Sequence, residues 1–142
     1  MRRKLLALLL LLLLLPAWTN RPGVLVGPGW QVAVVGQPKE CWDCVTPRAE
    51  EATLFRQAQG QTALLAHDYL SGALWYGLRP GDALYMDWQE YIVTEVFAWY
   101  PPGAPGWREA DVYWYVYDRP GALTLQTCFG AGFWFVIAEQ IK

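Results

Sequence analysis

The sequence predicts a mainly β single domain: an antiparallel barrel or sandwich of about seven strands with one or two short helices. Three observations carry that prediction. Short runs alternate apolar and polar residues with the period of two that marks a half-buried strand. Nine Trp, eight Tyr and five Phe, many for 142 residues, concentrate in those runs. Gly and Pro-Gly punctuation separates one run from the next.

Residues 1–17 stand apart from the domain. Arg2, Arg3 and Lys4 precede an almost pure leucine run that ends at Leu15, followed by Pro16-Ala17. This is the charged, apolar and small-residue pattern of a secretory signal. Residues 5–15 are short for a spanning helix, which takes about 20 residues. Export follows from the pattern, with either cleavage or retention as an N-terminal membrane anchor. Residues 18–29 are rich in Pro and Gly and read as an extended linker, which leaves residues 30–142 as the domain.

Residues 30–36 form the first alternating run. Residues 37–44 are a loop that carries Cys41-Trp-Asp-Cys44. Thr46-Pro47 reads as an N-cap followed by proline in the first helical position, with Glu50 and Glu51 where the helix dipole favours acids. A helix is therefore predicted over residues 47–59, with Ala49, Ala52, Phe55 and Gln59 on its inner face and Gly60 as its stop. Residues 62–66 are a short apolar strand that delivers His67, and Asp68 to Gly72 turn the chain away.

Residues 73–78 are a second compact stretch, closed by the strong turn Arg79-Pro-Gly-Asp82. Residues 83–88 and 91–99 read as a hairpin around Gln89-Glu90. Residues 100–110 hold too much Pro and Gly for regular structure. Residues 111–117 read as a strand and Asp118-Arg-Pro-Gly121 as a turn. Two further strands, 122–128 and 133–138, flank Gly130-Ala-Gly132.

In the strand Ala122-Leu-Thr-Leu-Gln-Thr-Cys128, Leu123, Leu125 and Thr127 share one face, and Thr124, Gln126 and Cys128 share the other. A thiol at the end of such a strand points out of the sheet, which suits a nucleophile. His67, the chain's single histidine, also ends an apolar run, so the two runs are candidates for neighbouring strands. Three cysteines are an odd number for an exported chain. Cys41 and Cys44 are close enough to form a disulfide, which leaves Cys128 unpaired. Without the leader the chain carries 8 basic against 13 acidic side chains, so no electrostatic footprint for nucleic acid exists.

The motifs Leu65-Ala-His67-Asp-Tyr-Leu-Ser-Gly72, Leu78-Arg-Pro-Gly-Asp82, Tyr91-Ile-Val-Thr94 and Leu123-Thr-Leu-Gln-Thr-Cys128, in this order and spacing, resemble the sortase family of bacterial cell-envelope cysteine transpeptidases. The resemblance covers residues 30–138. It implies a closed sortase-like antiparallel or mixed β-barrel of about seven to eight strands, with Cys128 as nucleophile and His67 as its acid-base partner. It also implies a peptide sorting signal and an amine acceptor as partners, contact with the membrane only through the N-terminal segment, and neither cofactor nor metal. By the same resemblance, the segment before the cysteine strand helps to recognise substrate, which points to Trp107, Tyr113 and Tyr115, with Thr127 and Gln126 beside the thiol.

One feature departs from the family. Sortases carry an arginine on the strand after the cysteine, and residues 129–142 contain none. Phe133 or a neighbour stands in its place. Arg119 lies nine residues before Cys128, roughly 30 Å along an extended strand. Arg48, Arg79 and Arg108 are the loop arginines left to complete the site.

An enzyme without that arginine is slow or uses a relocated cation. The alternative is a weak or inactive relative that binds a peptide or glycan in an aromatic groove made by residues 100–117. A further reading makes Cys41, Cys44, Cys128 and His67 a zinc set, although no second close-spaced ligand pair accompanies the first. A thioredoxin-like use of Cys41-Trp-Asp-Cys44 wants the motif to open a helix after a strand in a βαβ unit, and here the Thr46-Pro47 helix start comes two residues later. Asp68 and Asp82 are the acids that either orient His67 or serve their turns.

Overall fold

The computed structural model describes residues 23–37, 45–58, 61–100 and 115–142. The strands are β1 (Val24–Gly27), β2 (Trp30–Gly36), β3 (Glu51–Ala58), β4 (Gln61–Ala66), β5 (Ala83–Met86), β6 (Gln89–Trp99), β7 (Ala122–Phe129) and β8 (Gly132–Gln140). They close into a barrel in the order β1-β2-β3-β4-β7-β8-β6-β5. The pairs β2–β3 and β4–β7 are parallel and the other neighbours antiparallel, so the barrel is mixed.

Alternation decides what fills the barrel. Leu123 and Leu125 of β7 point inward with Leu25, Val34, Leu64, Leu84 and Val136. Trp75 joins them from a 3₁₀ helix, Ser71–Gly77, that follows β4. Ala63, Phe135 and Trp99 face outward and are covered by Val116 and Tyr117. This second layer explains why all six residues of β4 are buried: a strand covered on both faces reads as a continuous apolar run. Gln61 secures the cover, since its side-chain amide donates to the Val116 carbonyl at 2.7 Å.

Four sequence expectations change. The helix expected over residues 47–59 is strand β3, paired with β2 on one side and β4 on the other. The capping chemistry is used in a turn instead. Thr46 Oγ1 accepts from the Arg48 N–H at 3.3 Å and donates to the Glu51 carboxylate at 2.8 Å. Its own N–H donates to Thr53 Oγ1 at 2.7 Å. Ala52 and Leu54 then alternate onto the inner core while Phe55 packs on the outer layer. Two ladders satisfy the backbone that a helix would have bonded internally, so tertiary pairing overrides a good local helix signal.

Second, residues 115–117 form a helical turn rather than a strand end, and 111–114 lie outside the described residues. Third, the β5–β6 hairpin turns at Asp87-Trp88, because Met86 pairs with Gln89. Both turn residues have positive φ, 49° and 68°, which matches a two-residue hairpin turn of the kind usually built with Asn-Gly. Fourth, Val24–Gly27, read from sequence within the extended linker, adds strand β1 beside β2 and β5.

Candidate functional site

Strand β4 runs parallel to β7, and Ala66 pairs with Thr127 as the last position in register. His67 and Cys128 each follow that pair by one residue. They therefore leave neighbouring strands at the same end of the barrel. Cys128 is a free, exposed cysteine. The His67 ring stacks on Tyr69 with centroids 5.1 Å apart.

The backbone around the two residues is tightly tied on the β4 side. Thr127 is 2% exposed, and its hydroxyl donates to the Ala66 carbonyl at 2.8 Å. The His67 carbonyl accepts from the N–H groups of Leu70 and Gly72, each at 3.1 Å, and so starts the 3₁₀ helix. Gly72 is required by space: a Cβ there would stand 2.2 Å from Thr127 Oγ1 and 2.7 Å from the His67 carbonyl oxygen. Ser71 Oγ donates to the Glu51 carbonyl at 2.5 Å, which links the helix to β3 as well.

Aromatic rings build the other side. Cys128 pairs in register with Phe133 of β8, so Phe133 stands directly across from the thiol residue. Its ring stacks on Trp99, 5.9 Å centroid to centroid and nearly coplanar at 5°. Tyr76, from the 3₁₀ helix, meets Phe129 and Trp134 edge-on at 5.7 Å, and its hydroxyl donates to the Cys128 carbonyl. Burial pushes the Cys128 thiol above its ordinary pKa, and the Asp68 carboxylate adds to the effect. Burial, Asp68 and Cys128 together raise Tyr76 in the same way. Phenol, thiol and carboxylate therefore share one electrostatic neighbourhood.

The other sequence candidates divide clearly. The Thr127 hydroxyl is committed to the wall, and Gln126 accepts a hydrogen bond from the Tyr117 hydroxyl. Tyr115 donates to Glu95, and Arg119 pairs with the same carboxylate at 2.7 Å while lying over the Tyr115 ring. This cluster keeps Arg119 on the outer face of β6. Arg48 pairs with Glu51 at 3.3 Å. Thr53 of β3 is paired with Leu65 of β4, so Glu51 lies at the His67 end of the barrel. The turn after Arg79 bonds to Val93, six residues along β6 from Trp99, the residue paired with Phe133. Asp82 accepts from the Arg79 N–H at 2.8 Å, a turn role, whereas Asp68 acts on the thiol. Cys41, Cys44, Trp107, Arg108 and Tyr113 lie outside the described residues, as does the leader. Of the zinc set, only His67 and Cys128 are described.

Sequence reasoning missed Gly72 and Tyr76. The Gly72 signal was its place five residues after His67, where a chain must double back. Nothing local marks Tyr76, because its contact depends on how the 3₁₀ helix lies against β7.

No family model matches the sequence, and no curated protein matches it significantly. Solved structures do match. Sortase E from Streptomyces avermitilis superposes with a TM-score of 0.58 at 21% identity, over 87% of this chain and 89% of that one. The chain has a sortase-like fold. Pilus-related sortase C of Group B Streptococcus gives a TM-score of 0.60 at 17% identity, over 87% of this chain and 69% of that one. The Clostridium perfringens sortase D5 transpeptidase gives 0.60 at 14% identity, over 87% and 80%. The closed mixed barrel expected from the resemblance is the observed architecture.

Proposed function

We propose that this protein is a sortase-like cysteine transpeptidase or peptidase acting at the cell envelope, with Cys128 as nucleophile and His67 as general acid. The observation that supports the reading is the parallel β4–β7 register: its last pair, Ala66 and Thr127, is followed in one strand by the chain's one histidine and in the other by an exposed free thiol. The Cys128 thiolate attacks a peptide carbonyl of a sorting signal, and a C–S bond forms as the C–N bond breaks. The departing amine takes its proton from the His67 imidazolium. An acceptor amine then attacks the thioester: the new C–N bond forms as the C–S bond breaks, the amine's proton returns to His67, and Cys128 leaves as the thiolate. Water in place of the amine gives the peptidase outcome.

The raised thiol pKa has a consequence for pH dependence. Cys128 is mostly protonated at neutral pH, so the thiolate is a minority form and its fraction rises as pH approaches the elevated pKa. The alternative, a sortase-fold protein that binds peptide or glycan without turnover, draws support from the ring cluster of Tyr76, Phe129 and Trp134 around the Cys128 backbone. Export to the envelope rests on the leader sequence.

Incubation with a random-sequence peptide pool and hydroxylamine as acceptor separates the two. Transpeptidation yields peptide hydroxamates by mass spectrometry, lost in Cys128→Ala and His67→Ala. A hydroxamate yield equal to that of Cys128→Ala overturns the enzyme reading in favour of binding.

A further inference from the structure

We propose that the Tyr76 phenol is the hydrogen-bond donor to the oxyanion formed when Cys128 is acylated, serving where the strand after the cysteine has Phe133. The proposal deepens the cysteine-transferase reading and rests on it. Phe133, directly across from Cys128, has an apolar ring with nothing to donate. Tyr76 approaches the same residue from the 3₁₀ helix, and its hydroxyl donates to the Cys128 carbonyl oxygen. The carbonyl and the sulfur belong to one residue. A phenol bonded to the carbonyl thus lies near enough to the sulfur for the Cys128 charge to act on it, and the oxygen of an acyl group on the sulfur can take the carbonyl's place as acceptor.

The phenol is held in place from three directions. Phe129 and Trp134 fix its ring edge-on, and the neighbouring Trp75 is fully buried in the barrel. Gly72 anchors the start of the same helix against Thr127 and His67. Preorganisation of this kind is what oxyanion stabilisation requires. Burial and the charges of Asp68 and Cys128 favour the neutral phenol, which is the donor form.

The test does not depend on the sorting motif. p-Nitrophenyl acetate acylates Cys128 through a tetrahedral oxyanion. The thiolate forms the C–S bond, the carbonyl pair moves to oxygen and returns, p-nitrophenolate leaves, and the thiol proton passes to solvent. Iodoacetamide alkylates the same thiolate by displacing iodide, with no oxyanion. Both rates are followed at Cys128 by peptide mapping of the full chain. Their ratio cancels the thiolate fraction.

The expected result is a ratio above that of N-acetylcysteine in the native protein, falling about 100- to 1,000-fold in Tyr76→Phe with alkylation unchanged. The phenylalanine keeps the ring contacts, and the unchanged alkylation rate reports an intact lip. A ratio unchanged in Tyr76→Phe overturns the proposal, as does a native ratio equal to that of N-acetylcysteine. Equal falls in both rates also overturn it, since they mean that Tyr76 only positions the backbone. Peptide hydroxamates with an unchanged Tyr76→Phe ratio would leave the transpeptidase reading standing and remove the Tyr76 role. A fallen ratio without hydroxamates would do the reverse.

Discussion

The two strands that flank β7 hold Cys128 by different physics. On the β4 side the contacts are polar and close: the Thr127 hydroxyl on the Ala66 carbonyl, and the Gly72 backbone against Thr127 and the His67 carbonyl. On the β8 side they are rings, with Phe133 on Trp99, and Tyr76 wedged between Phe129 and Trp134. Directional bonds and close backbone approach tolerate almost no change, whereas ring packing adapts to a change of shape. The thiol residue thus sits between a closely tied polar side and an adaptable aromatic side.

The largest effect is expected from Gly72→Ala. The new methyl would lie 2.2 Å from Thr127 Oγ1 and 2.7 Å from backbone, so the helix and both strand ends must separate. A loss of about 3 kcal/mol is expected. Thermal unfolding checks it, with a fall in Tm of about 10 °C. A Tm within a degree of the native value would show that the polar side is not rigid.

Thr127→Val keeps the shape and removes the buried hydroxyl that bonds the Ala66 carbonyl. It should cost about 1–2 kcal/mol, read from the urea midpoint at constant slope. Phe133→Leu, on the aromatic side, should cost about 1 kcal/mol, because the ring is only half-buried and loses one stacking partner. If it costs more than Thr127→Val, the contrast between the two sides is reversed.

The smallest effects concern charge. Asp68 raises the thiol pKa, so Asp68→Asn should lower it and increase the thiolate fraction at neutral pH. Iodoacetamide alkylation of Cys128 at pH 7 should speed up about threefold, with the profile's midpoint moved to lower pH. Phe133→Arg should move the midpoint in the same direction from the opposite side, by placing a cation across from the thiol residue. A midpoint unmoved in both variants would show that burial alone sets the thiol.

Much of this was legible beforehand for a simple reason. Strand alternation in β7 and the continuous apolar run of β4 are local consequences of burial on one face or on two, so both strands and their terminal residues could be read directly. The β3 segment shows where local reading stops. Thr46-Pro47 with Glu50 and Glu51 is sound helix-start chemistry, yet the same Thr46 serves a turn once β2 and β4 offer ladders on both sides. The β5–β6 turn was misplaced by two residues because Asp87-Trp88 lacks the glycine that marks such turns.

By itself, then, the sequence determined a mainly β chain, a thiol and a lone histidine at the ends of two apolar runs, and no arginine in residues 129–142. Only the tertiary structure decided that β4 and β7 are parallel neighbours in register. It alone set Phe133 opposite Cys128, required Gly72, and brought Tyr76 to the Cys128 carbonyl. The division has one physical cause. Burial patterns are written along the chain, whereas register and close approach arise between segments some 50 to 60 residues apart, whose alignment no local period encodes.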